Sequence, residues 1–148
     1  VSTFRAARGA LEREESSVLA AELDRLPGSR LWRRLSALGP NVLSRELPVV
    51  LGTGPGIADG PLDGYLGTLD LLYRDSASGE IAIADFKSDP APEIGGDDPE
   101  AWIAEKRARY RTQLALYGRA VQLALDLSAP PRLELWMLAA DRIVVVDA

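Results

Sequence analysis

Two aspartates, one lysine and a glutamine–tyrosine pair are the residues best able to do chemistry in this chain. Asp70 interrupts an apolar run from Leu69 to Tyr73, and Asp85-Phe86-Lys87 closes a second apolar run. Side chains alternate across a strand, so Asp85 and Lys87 share a face and Phe86 points away. A carboxylate and an ammonium at the exit of a buried strand are costly unless they are paired or bound to a cation. If the two runs pair as a hairpin, Asp70 and Asp85 converge on one face. Two carboxylates and a backbone carbonyl suit Mg²⁺ or Mn²⁺, hard cations that keep several waters. The chain has no histidine and no cysteine. That removes Ser-His-Asp and Cys-His catalysis, His-bound zinc, disulfides and iron–sulfur clusters.

The helical partner of these strands carries Tyr110, Gln113 and Tyr117, spaced three and then four residues apart and therefore on one face. Leu114, Val121 and Leu125 form the neighbouring apolar stripe expected to pack on a sheet. Lys106, Arg107, Arg109 and Arg111 make a basic run interleaved with tyrosine, a pattern that suits a phosphate backbone. Lys87 and Lys106 are the only lysines in a chain that otherwise uses arginine. A compact, titratable ammonium is not equivalent to a guanidinium at a reacting centre.

These residues need a scaffold, and the hydrophobic pattern supplies one. An amphipathic helix is expected over 4–26, broken at Pro27-Gly28. A short helix capped by Ser29 carries Leu31, Trp32, Leu35 and Leu38 and ends at Gly39-Pro40. Strands follow over 41–51, 65–74 and 80–87, the last apolar on both faces and so central. Asp98-Pro99-Glu100 starts a long helix expected to reach about residue 127. Pro130-Pro131 stops it, and strands over 133–139 and 143–146 close the chain, joined at Asp141-Arg142. Helix, helix, three strands, long helix and two strands define an α/β domain with a mixed sheet flanked by helices.

The 148 residues fit one domain, here 1–148, expected to be cut from a longer chain because it starts at Val1. The composition, 47% hydrophobic and 26% charged, is that of a folded chain and not a disordered one. A net charge of −5 gives no global field for nucleic acid, so a local basic patch and a cation must supply any such contact. No apolar run is long enough to span a membrane and no signal peptide is visible, so a cytoplasmic location is expected. Gly52-Thr53-Gly54-Pro55-Gly56 lacks the following helix that a phosphate-cradling loop requires. Taken singly, each candidate has a bland reading: a turn-forming aspartate, a salt-bridge lysine, a packed tyrosine, a solvated basic face. Their order on strand, strand and helix is what sets them apart.

In that order they resemble the RecB-like nucleases of the PD-(D/E)xK superfamily, and most of all the C-terminal nuclease domain of AddA-type helicase–nucleases. The likeness spans roughly residues 44–139. It rests on Gly67-Thr68-Leu69-Asp70-Leu71-Leu72, Asp85-Phe86-Lys87-Ser88-Asp89 and Tyr110-Arg111-Thr112-Gln113-Leu114-Ala115-Leu116-Tyr117. Arg45-Glu46-Leu47-Pro48 is similar to a glutamate–proline segment ahead of the aspartate strand. The resemblance implies a restriction-endonuclease-like core and Mg²⁺- or Mn²⁺-dependent hydrolysis of DNA phosphodiesters in end processing and recombinational repair. It implies that Asp70, Asp85 and the Phe86 carbonyl hold the metal, and that Lys87 orients water or stabilises the transition state. Gln113 and Tyr117 would position the strand and the lysine, with Lys106, Arg109, Tyr110 and Arg111 on the DNA. Glu46 carries less weight. The expected partners are single-stranded DNA ends and helicase domains of the same or a partner chain, with no membrane. The family's metal-ligating histidine has no counterpart here, since histidine is absent or the helix lies upstream of Val1. That departure motivates the alternative of a degenerate nuclease-fold module binding single-stranded DNA or a helicase.

Overall fold

The computed structural model describes residues 26–52, 64–91 and 98–147. The helix expected over 4–26 and the glycine loop from Thr53 to Gly56 therefore lie outside the described residues, save Leu26. The chain divides into two compact units, Val1–Ala37 and Leu38–Ala148.

In the first unit, a 3-10 turn at Leu26–Gly28 precedes α1, Arg30–Leu38, whose last residue enters the second unit. Ser29 caps α1 as expected: its Oγ accepts the Trp32 N–H at 3.0 Å, satisfying a donor that has no partner inside the helix.

The second unit is a five-stranded mixed sheet with one long helix. The strands are β1 (Val42–Gly52), β2 (Gly64–Arg74), β3 (Ile81–Lys87), β4 (Arg132–Met137) and β5 (Arg142–Val146), in the spatial order β1-β2-β3-β4-β5. Each neighbouring pair is antiparallel except β3 and β4, which are parallel. A parallel pair needs a crossover, and α2, Pro99–Ala124, provides it. Asp98 caps α2 by accepting the Glu100 N–H at 3.0 Å, and Pro99 and Glu100 occupy its first turn.

The core forms where α2 lies on one face of the sheet. Leu72, Ile81, Ile83, Leu133, Leu135, Met137, Val144 and Val146 meet Ile103, Leu114, Tyr117 and Val121 there. Gly118 permits the approach: a Cβ on it would lie 3.0 Å from a Leu133 methyl. The opposite face is also buried, through Leu71, Tyr73, Ala82, Ala84 and Trp136, which is why β3 reads as apolar on both faces.

Three expectations need correction. The long helix ends at Ala124 and not near residue 127, because Leu125 leaves helical geometry and Asp126 is left-handed at φ 50°. Leu125 is consequently 47% exposed and takes no part in the apolar stripe, which continues instead through Tyr117. β4 stops at Met137, and the reversal to β5 runs through Leu138–Asp141, with Asp141 left-handed. Among the described residues no helix is long and apolar enough to cross a membrane.

These placements separate two leucines that look alike in sequence. Leu114→Ala, at a site with no exposure, is expected to cost about 2–5 kcal/mol in urea unfolding. Leu125→Ala should stay within about 0.5 kcal/mol, as surface substitutions do.

Candidate functional site

The site forms where β2 leaves β3. Their register runs Arg74↔Ile81, Tyr73↔Ala82, Leu72↔Ile83 and Leu71↔Ala84, and there the recorded pairing ends. One step further lie Asp70 and Asp85, on the face that Leu72 and Ile83 share. The Asp70 side chain takes over from the main chain, its Oδ2 accepting the Phe86 N–H at 2.6 Å. β3 meanwhile stays paired with β4 to its last residue, Lys87↔Met137, and the Leu138 N–H adds a bond to the Lys87 carbonyl at 2.9 Å. One edge of β3 is thus held by a strand while the other is held by a carboxylate.

Asp85 is only 3% exposed. Lys87 Nζ lies 2.5 Å from its Oδ2, yet off the direction a hydrogen bond requires, so that buried oxygen has a cation beside it and no aligned donor. Burial pushes the Asp85 carboxyl above its ordinary value of 3.8 and the nearby Asp70 charge adds to this, while Lys87 opposes without cancelling it. Phe86 points to the other face, as alternation requires, and packs on Trp136 with ring centres 5.6 Å apart.

Lys87 reaches α2 through an aromatic ring. Its Nζ stands 4.4 Å from the centre of the Tyr110 ring, within cation–π range. The Tyr110 hydroxyl donates to Asp89 Oδ2 at 2.8 Å, and Lys106 Nζ sits 3.0 Å from Asp89 Oδ1. Burial raises the Tyr110 hydroxyl above its ordinary value, and its bond to Asp89 raises it further, so the phenol stays protonated. Burial also pushes Asp89 up, but hydrogen bonds from Lys106 and Tyr110, with the charges of Lys106 and Arg109, hold it below its ordinary value.

The structure sorts the remaining candidates. Gln113 Nε2 donates to the Tyr117 hydroxyl at 3.1 Å, one turn along α2. It is Tyr110, though, whose ring stands over Lys87. Tyr117 is almost fully buried in the core. The basic run divides around the helix. Lys106 turns inward to Asp89 and Glu105, and exposed Arg109 lies 3.7 Å from Asp89. Arg107 and Arg111 face away, lining a recess of about 480 Å³ with Ala104, Ala108 and Asp147. Glu46, like Leu43, has no partner in the β1–β2 register; it falls between Arg45↔Leu71 and Leu47↔Leu69 and so across from Asp70. Its side chain is exposed and its backbone is left-handed at φ 49°, a conformation that costs a non-glycine residue about 1–2 kcal/mol.

Asp89 and the position of Tyr110 over Lys87 escaped the sequence reading. The signal was present in Asp85-Phe86-Lys87-Ser88-Asp89, an alternation that returns an acid two residues beyond the lysine. Compared with protein-family models and with curated proteins, the chain matches none.

The donor set fits a hard divalent cation in part. A buried carboxylate oxygen without an aligned donor, beside a second carboxylate, is what such an ion would satisfy. Among the described residues no three acidic side chains are gathered to hold an ion, so water would have to complete the coordination.

The pH dependence of stability follows from the direction at Asp85. A carboxyl raised in the fold adds stability that is fully present below its unfolded value and lost as pH rises through its folded one. Asp85→Asn mimics the protonated acid. In the presence of a chelator its urea midpoint should match the parent's below pH 3.8 and exceed it near neutrality. A gap that does not change with pH would contradict the assignment.

Proposed function

We propose that this chain is a metal-dependent DNA nuclease whose sheet and crossover helix form a restriction-endonuclease-like core. The observation that carries the reading is the pair Asp70 and Asp85, on one face where β2 leaves β3, with Lys87 against Asp85. The buried Asp85 oxygen has Lys87 beside it and no further donor, which leaves it room to take a cation. Order along the chain supports it too, since the Asp, the Asp-Phe-Lys and the Gln-Leu-Ala-Leu-Tyr segments fall on β2, β3 and α2 as the nuclease resemblance requires.

Asp70 and Asp85, with the Phe86 carbonyl, would hold Mg²⁺ or Mn²⁺. When bound, such an ion lowers the pKa of a coordinated water and offsets charge on a phosphate. The chain's own residues supply orientation. Lys87 would direct the attacking water or face the negative charge of the reacting phosphate. The Tyr110 ring limits where that ammonium can go, and Gln113 and Tyr117 form a linked polar pair on the same helix. Arg109, exposed beside the site, is the first choice for a DNA phosphate contact, since Asp89 engages Lys106 and Tyr110 and Arg111 faces away. A chain of net charge −5 holds DNA weakly, so a tethered helicase working on single-stranded ends in the cytoplasm would supply the effective concentration.

A second reading is a catalytically silent module that binds single-stranded DNA or a helicase. It is favoured by Lys87 lying on Asp85 and by the absence, among the described residues, of a third acid or histidine at the pair.

Calorimetric titration of Mn²⁺, run beside digestion of labelled single-stranded DNA, separates the two. The nuclease reading expects metal-binding heat and cleavage in the parent, both lost in Asp85→Ala. Lys87→Ala should keep the heat and lose cleavage by about a hundredfold or more. No heat and no cleavage in the parent, with DNA binding that survives Asp70→Ala and Asp85→Ala, would give the second reading the field.

A further inference from the structure

Asp89 lies two residues beyond Lys87, outside the acid pair, and is only 13% exposed in its side chain. Both its oxygens are engaged by α2: Oδ1 by Lys106 at 3.0 Å and Oδ2 by the Tyr110 hydroxyl at 2.8 Å. Those two residues are four apart and share a helix face. A single carboxylate on the segment after β3 therefore grips one face of α2 at two successive turns. The ring so gripped is the one that stands 4.4 Å from the Lys87 ammonium. Arg109 lies 5.4 Å from the centre of that same ring and 3.7 Å from Asp89 Oδ1, so the phenol is framed by cations.

A phenol that donates to a carboxylate carries more electron density in its ring, and the attraction of a ring for a cation grows with that density. Lysine otherwise has four rotatable carbons and little to fix it. Lys87 gains its direction from two sides, Asp85 on its own strand and the Tyr110 ring across from it.

We propose that Asp89 is a positioning residue: by anchoring the Tyr110 hydroxyl it sets the ring that fixes the Lys87 ammonium beside Asp85. The effect on turnover rests on the nuclease reading, whereas the placement of Lys87 does not.

The composition offers a direct readout. Lys87 and Lys106 are the chain's only lysines, so a protein labelled with ¹³C at lysine gives two sets of ε-methylene signals, and Lys87→Arg assigns them. Lys87 over the Tyr110 ring should resonate upfield of its random-coil position. Asp89→Asn should move it back towards that position with the circular dichroism unchanged. An unmoved Lys87 signal in folded Asp89→Asn overturns the proposal. Should that variant unfold because Lys106 loses its partner, Tyr110→Phe keeps the ring, the core and the Asp89–Lys106 pair. It removes only the anchoring bond and should shift Lys87 in the same direction; an unchanged signal there overturns the proposal equally. In the digestion assay Asp89→Asn should lower kcat about tenfold to a hundredfold, the scale of a misplaced reacting group, with KM for DNA and the Mn²⁺ heat unchanged. Asp89→Glu should restore part of that loss. A rise in KM at constant kcat would instead make Asp89 a DNA contact and overturn the positioning role. A parent protein that digests no DNA overturns the nuclease reading alone, because the lysine spectrum still decides the role of Asp89.

Discussion

The hydrogen bond from the Phe86 N–H to the Asp70 carboxylate is the contact on which the rest of the site depends. Up to Leu71 and Ala84 the two strands are joined by main-chain pairing. At Asp70 a side chain takes the next donor, at 2.6 Å, and the strands are free to part without stranding a buried N–H. A hydrogen bond to a charged group contributes about 1.5–3 kcal/mol, enough to replace the ladder bond it displaces. The same contact holds the Asp70 carboxylate close to Asp85, whose ionisation its charge opposes. One substitution for a ladder bond thus creates the opening, fixes one acid and strains the other.

The opposite face of the sheet shows what a purely structural buried acid looks like in this protein. Glu134 is as buried as Asp85, yet Tyr73 and Trp136 donate to one of its oxygens, each at 2.8 Å, and Arg132 to the other at 2.9 Å. Arg132 also reaches Asp75 at 2.8 Å and Glu80 at 3.1 Å, and against the pull of burial Asp75, Tyr73 and Glu134 hold its guanidinium protonated. Asp75 in turn caps the β2–β3 turn through the N–H groups of Ala77 and Ser78, where Gly79 supplies the left-handed residue. Every group in that network has its complement, as buried ionic clusters require. Asp85, in the same sheet, has Lys87 alone beside its buried oxygen. One face thus holds a carboxylate with three hydrogen-bond donors, and the other a carboxylate with a single lysine neighbour.

Most of the architecture was legible in the chain because its signals are local. Ser29 and Asp98 announce their helices by the N–H groups they accept, and alternation predicts that Asp85 and Lys87 share a face while Phe86 turns away. The failures have two causes: the points where the chain leaves regular geometry, and partners that sit on another element. Leu125 keeps the helical spacing in sequence, but the helix ends one residue earlier, so its periodicity counts for nothing. Lys106 reads as part of a basic run suited to a phosphate backbone, although its angular position on α2 points it at Asp89. No pattern along the helix reveals that acid, because it sits on another element. The Glu134 network escaped for the same reason, though an acid inside the run Leu133-Glu134-Leu135-Trp136-Met137 carried the same signal as Asp70.

The helix α2 couples these parts, and its sequence shows how one element serves two demands. Its inner face must be apolar enough to cover β3, β4 and β5, and Ile103, Leu114, Tyr117 and Val121 do so. On that same side of the helix, Lys106 and Tyr110 reach past the end of β3 to Asp89. Polar groups placed there can meet the strand's terminal residues without crossing the core. Small shifts of α2 along its axis would break the contacts of Asp89 with both Lys106 and Tyr110, while Gly118 against Leu133 fixes the separation at the other end. The packing of the core and the direction of the Lys87 ammonium are therefore set by the same rigid body. Any pressure that loosens the apolar stripe acts on the acid–lysine pair as well.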